Sequence, residues 1–145
     1  MAYEKNIEIN QYHFSNTKKA MCIHIDNYKS IALDKKEIES KIEETEILAE
    51  ELGHYETGSL YAIEATYNQP LKQNNIIYFE AKAKKWKTKR LLPYIELQKA
   101  LNKGIHEVYA LSEYFNLSEI FIKDAINLYK SEDKISINNI YLENQ

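Results

Sequence analysis

Residues 47–55 read Ile-Leu-Ala-Glu-Glu-Leu-Gly-His-Tyr. On a helix, Glu50 and His54 lie one turn apart on the same face, so both side chains can reach one metal ion. Glu51, beside them, can take a proton from a water that the ion polarises. The string departs by one residue from the metal-helix pattern His-Glu-x-x-His, because Glu50 stands where the first His belongs. A plainer reading competes with this one. Seven glutamates occupy the stretch from Glu37 to Glu51 and suit a solvated helix face. His54 also suits a helix end, where an imidazolium complements the dipole.

The elements that would position these residues follow from periodicity. Residues 20–26 alternate as a strand, with Met21, Ile23 and Ile25 on one face and Cys22 and His24 on the other. Residues 27–29 suit a turn and 30–33 a second strand, so a hairpin is expected over 20–33. Asp34 is a good N-cap, with Glu37 three residues on, so the metal helix is expected over 35–55, continuous or broken near 43–45. Gly53 inside it implies a close packing partner, with the hairpin as the expected one. Residues 56–75 read as a long loop with a short ordered piece near 60–63. A second helix is expected over 76–92, with Phe79, Ala83 and Trp86 inward and Pro93 as its stop. Six of the nine residues from Lys82 to Arg90 are basic, which reads as a solvated outer face.

Beyond Pro93 the pattern is helical. Helices are expected at 95–101, at 108–115 and, after an N-cap at Ser118, at 120–129, a rhythm like a helix-turn-helix. Residues 131–145 read as a polar tail or a late edge strand near 135–142. The expected fold class is α+β: a mostly helical core over 1–93 with a small β-hairpin or sheet, then a helix-turn-helix-like segment over 94–130.

Composition narrows the function. The chain has 145 residues, 44% apolar and 28% charged, enough for one domain with a core, alone or with a small helical appendage. Only 3 Gly and 2 Pro favour helix over a turn-rich β fold. A net charge of −3 argues against general nucleic-acid binding. The single cysteine, Cys22, excludes an internal disulfide framework or a multi-cysteine zinc site, and fits a reducing compartment. No apolar run approaches about 18 residues, and residues 1–6 lack a basic-then-apolar leader pattern, so a cytoplasmic protein is expected.

Three blocks together carry a family likeness. Leu48-Ala49-Glu50-Glu51-Leu52-Gly53-His54-Tyr55, then Glu80-Ala81-Lys82-Ala83-Lys84-Lys85-Trp86 with Leu91-Leu92-Pro93, then Tyr109 to Glu119 stand in order. Over residues 18–130 the chain resembles the ImmA/IrrE family of metallopeptidases, including phage-borne members with the Glu-Glu-Leu-Gly-His string. The resemblance implies a zincin-like core and a zinc-dependent endopeptidase of phage or mobile-element origin. Its implied substrate is a helix-turn-helix transcriptional repressor. It also implies Glu80 as a metal ligand with His54, and Glu51 as general base. Glu50 departs from the common pattern, and a site of Glu50, His54 and Glu80 would be oxygen-rich enough to accept Mn or Fe(II) as well as Zn. An oxyanion stabiliser is also needed, with Tyr55, His24 and Tyr61 all open. His24 is alternatively a stand-in for the missing His. The competing expectations are a relative that binds the repressor without cutting it, and a DNA-binding regulator. The last is weakened by the segment from Ser118 to Lys130, whose only cations are Lys123 and Lys130, beside Glu119 and Asp124.

Overall fold

A computed structural model describes residues 6–59 and 73–133. Among them are a three-stranded sheet and five helices, a mixed α+β fold. The strands are β1 (Ile7–Gln11), β2 (Ala20–Ile25) and β3 (Tyr28–Leu33). The helices are α1 (Lys41–Glu56), α2 (Gln73–Leu91), α3 (Tyr94–Asn102), α4 (Val108–Phe115) and α5 (Glu119–Ser131). The chain divides into two compact units, Met1–Lys87 and Thr88–Gln145, with the division inside α2. No described helix is long and apolar enough to cross a membrane.

In the first unit, β2 and β3 form the expected hairpin, closed by Asp26–Asn27 with Asp26 at φ +52°. β3 is central, because β1 pairs with it in parallel, in the order β1-β3-β2. The sequence pattern missed β1. Only Ile7 of its five residues is buried, so the apolar signal is one side chain deep. Instead, Asn10 donates to Ser30 Oγ and to Tyr28 Oη, and Tyr28 Oη donates to Glu8.

The two faces of β2 divide as the alternation predicts, and the structure shows which one lies under α1. Ala20 and Cys22 are buried with Ile31, Leu33 and Leu52, whereas Met21 and Ile25 are exposed. Met21 and Ile23 line a cavity of about 350 Å³ with Tyr12, Phe14 and Ala32 on the other side of the sheet. The more apolar row of the strand therefore lies away from α1. A small thiol and an alanine lie under the helix because Leu52, Tyr55 and Trp86 supply the bulk there.

Helix α1 begins at Lys41, later than the expected residue 35. Ser40 is its N-cap, accepting from Glu43 N at 3.1 Å, and Glu43 accepts in return from Glu39 N at 2.7 Å. This is a variant of the expected capping box six positions downstream, with Glu43 reaching the N–H of the residue before the cap. Asp34 is not free to cap, because it is buried and accepts from Phe14 N at 2.9 Å, His13 Nδ1 at 2.7 Å and Lys36 N at 3.2 Å. It ties the segment after β1 to the turn before α1. Burial opposes its charge, but these three donors outweigh it and hold the carboxyl below the ordinary carboxylate range.

The second unit follows its pattern closely. Pro93 precedes α3, Gly104 at φ +86° follows it, and Asn116 ends α4 in the left-handed conformation. Ser118 caps α5 by accepting from Phe121 N at 3.1 Å. Leu92, Leu97, Leu111, Ile122 and Ile126 are wholly buried together, and Tyr129 donates its hydroxyl to Leu92 O at 2.5 Å. The ordered piece expected near 60–63, Tyr61 included, and the edge strand expected near 135–142 lie outside the described residues.

Candidate functional site

Helices α1 and α2 meet at a glycine. A Cβ on Gly53 would lie 2.7 Å from the carbonyl oxygen of Ala83, so only hydrogen fits there. The partner that the sequence left to the hairpin is thus the backbone of α2. Side-chain pairs flank this contact. His54 Nε2 lies 3.5 Å from Glu80 Oε2, and Glu50 Oε2 lies 2.6 Å from Lys87 Nζ. Since 54 pairs with 80 and 50 with 87, the helices cross in opposite directions.

His54 is 8% exposed, and its Nδ1 is buried without a hydrogen-bond partner among the described residues. The Nε2 contact with Glu80 exceeds the usual 2.7–3.2 Å of an N–H···O bond. A buried imidazole held this loosely is costly unless something else engages it. Two donors about 2.0–2.2 Å from a tetrahedral zinc stand roughly 3.3 Å apart, so His54 and Glu80 fit two positions of a divalent-metal site.

Glu51 lies on the same turn of α1. Burial pushes its carboxyl above the ordinary carboxylate range. The Cys22 thiol and the His54 imidazole pull the other way, and the neighbouring Glu50 charge pushes with burial. Cys22 also donates to the Glu51 carbonyl oxygen at 3.1 Å, which fastens this turn to β2. A carboxyl that holds its proton more tightly than usual is suited to general acid and base work near neutral pH.

The structure therefore pairs His54 with Glu80, puts the Glu51 carboxyl within reach of the His54 charge, and places Glu50 with Lys87. Among the described residues no three His, Cys, Asp or Glu side chains form a metal-holding group. Tyr55 does not face the site with a free hydroxyl. Its oxygen lies 2.6 Å from the Ile23 carbonyl and 2.8 Å from that of Ser30 and shares one proton between them, and burial raises its pKa. His24 is opposite Lys29 on the hairpin, next to Cys22 in the row that faces α1.

Two contributors were not singled out from the sequence. Lys87 was read into the basic run, yet it follows Glu80 by seven residues and so shares its helix face. Cys22 was read on the face away from the aliphatic row, and the small residues of that face are what admit a helix. Comparison with protein-family models, with curated proteins and with solved structures finds no match. The class that fold and site define is thus a mixed α+β protein with a histidine–carboxylate pair at a helix crossing.

Proposed function

We propose that this protein is a metal-dependent endopeptidase of the kind its sequence resembles, the ImmA/IrrE metallopeptidases, with a zincin-like core and a helix-turn-helix-like segment at α4 and α5. The observation that carries the reading is the approach of His54 and Glu80 from two helices, with the desolvated Glu51 carboxyl within reach of the His54 charge. His54 and Glu80 would hold the ion, zinc or, in an oxygen-rich site, Mn or Fe(II). Bound there, the metal would polarise the scissile carbonyl and make water a nucleophile at neutral pH. Glu51 receives the proton of the attacking water at its carboxylate and returns it to the leaving amine. The proposed substrate is a helix-turn-helix repressor, and the setting is the cytoplasm of a cell carrying a phage or mobile element.

One observation favours a second reading. The Glu50–Lys87 pair engages a carboxylate that the sequence assigned to the metal, as expected of a relative that binds the repressor without cutting it. Incubating the protein with the repressor encoded beside its gene, with and without chelator and alongside Glu51→Gln, separates the two. Cleavage that chelator and the variant both abolish supports the peptidase. An intact repressor in a stable complex supports the binder, and a salt-sensitive DNA shift would overturn both.

A further inference from the structure

The two rungs of the α1–α2 crossing differ in kind. At one, an imidazole and a carboxylate face each other at 3.5 Å without a normal hydrogen bond. At the other, a carboxylate is closed by an ammonium at 2.6 Å, with the Lys87 side chain 16% and that of Glu50 28% exposed. Water screens such a pair less than an exposed one, and breaking it by removing one partner leaves a charge uncompensated. Glu50 is four residues, about 6 Å along the helix axis, from His54. The two share a helix face, so the ion pair with Lys87 is what Glu50 must give up to turn toward the His54–Glu80 pair.

We propose that Lys87 is an internal competitor for Glu50, holding it off the His54–Glu80 pair and thereby limiting how tightly the protein takes up a divalent cation. The inference rests on the metal-site reading of His54 and Glu80. At rest the crossing offers an ion two protein donors, one fewer than catalytic zinc sites use. An arriving dication gains Glu50 as a third donor only by exchanging with the ammonium. The free energy of the Glu50–Lys87 pair is then subtracted from that of metal binding.

The test is calorimetric titration of Zn²⁺ into the metal-free full chain, with folding followed by circular dichroism. Wild type, Glu50→Gln, Lys87→Met and the double variant make a cycle. Lys87→Met keeps the apolar stem and should bind Zn²⁺ about tenfold or more tightly, the scale of one lost charge-pair contribution. Glu50→Gln in the wild-type background should change affinity by less than about threefold, because Glu50 is already engaged. In the Lys87→Met background the same change should cancel the gain. A gain that survives in the double variant would show a bare charge effect and overturn the proposal. A tenfold loss from Glu50→Gln alone would also overturn it, and this arm does not depend on Lys87→Met folding. Equal Zn²⁺ binding by wild type and Lys87→Met, abolished by His54→Ala, would sink the competitor and spare the metal site. No Zn²⁺ uptake by any of these proteins would sink both.

Discussion

The two units bury different kinds of chemistry. In the second, the interior is aliphatic and aromatic, and the buried polar residues among those described are Thr88 and Ser112, with Ser112 donating to Tyr109 O at 2.8 Å. In the first, a carboxylate, an imidazole and a thiol are all buried, at Asp34, His54 and Cys22. Burying such groups costs free energy unless each is well partnered. Asp34 has three donors and is plainly structural. His54 lacks that satisfaction, and the glycine that lets its helix approach α2 is intolerant of any side chain. The buried side-chain atoms without a hydrogen bond among the described residues are His54 Nδ1 and Glu132 Oε2, and the Glu132 carboxylate is engaged through its other oxygen by Lys89 at 3.0 Å. His54 has no such close partner, which marks the α1–α2 crossing as a place where something other than stability is kept.

The strongest perturbation should come from the second unit. Ile126 is wholly buried on α5, and Ile126→Ala should lose about 2–5 kcal/mol through lost burial and a residual cavity. Urea unfolding of the full chain measures this. A loss below about 1 kcal/mol would mean the second unit is not packed around that residue, and the contrast with the first would weaken.

Gly53→Ala comes next and discriminates better. Helix propensity alone predicts a gain of about 1 kcal/mol, whereas overpacking against the Ala83 carbonyl costs about 1–3 kcal/mol. The clash at 2.7 Å is with backbone, which cannot rotate aside, so a net loss is expected. By forcing α1 and α2 apart, the variant should also weaken divalent-metal uptake at His54 and Glu80. A stabilised variant with unchanged metal binding would show that the helices do not meet there.

The same contrast explains what the sequence makes legible. In the second unit, local signals agree with the outcome: Pro93 before α3, Asn116 at the end of α4, Ser118 capping α5, and Leu or Ile at helical spacing. In the first unit, tertiary demands override them. Asp34 has the residue type and spacing of a cap, but its carboxylate is captured by Phe14, His13 and Lys36, and Ser40 caps instead. β2 lies with its more apolar row away from α1, since the helix needs small residues beneath it. β1 is an edge strand held by backbone pairing and a surface hydrogen-bond network, which leaves almost no hydrophobic period. At the site, one turn of helix suffices to put Glu50, Glu51 and His54 together in sequence terms. The pairing of Glu50 with Lys87 needs the crossing of two helices, set by Gly53 and Ala83 and not by either local pattern.

The smallest effect should come from the acid at the centre of the contrast. Because burial raises the Glu51 carboxyl above the usual value of 4.5, the folded metal-free protein holds a proton that the unfolded chain has released. Over that window folding binds protons, so stability falls as pH rises from about 4.5 through the raised value, and the penalty is complete above it. Glu51→Gln removes the charge but keeps an acceptor for the Cys22 thiol. It should therefore melt on the order of 1–3 °C above wild type at neutral pH. The difference should vanish below about pH 4, where Glu51 is neutral in both states. Paired melting curves from about pH 3 to 8 read this directly. A Glu51→Gln variant less stable than wild type at pH 7 would mean that the Glu51 carboxylate is fully compensated in the folded state. In that case the first unit would resemble the second in satisfying what it buries, and Glu51 would lose its claim to an unusually tight proton.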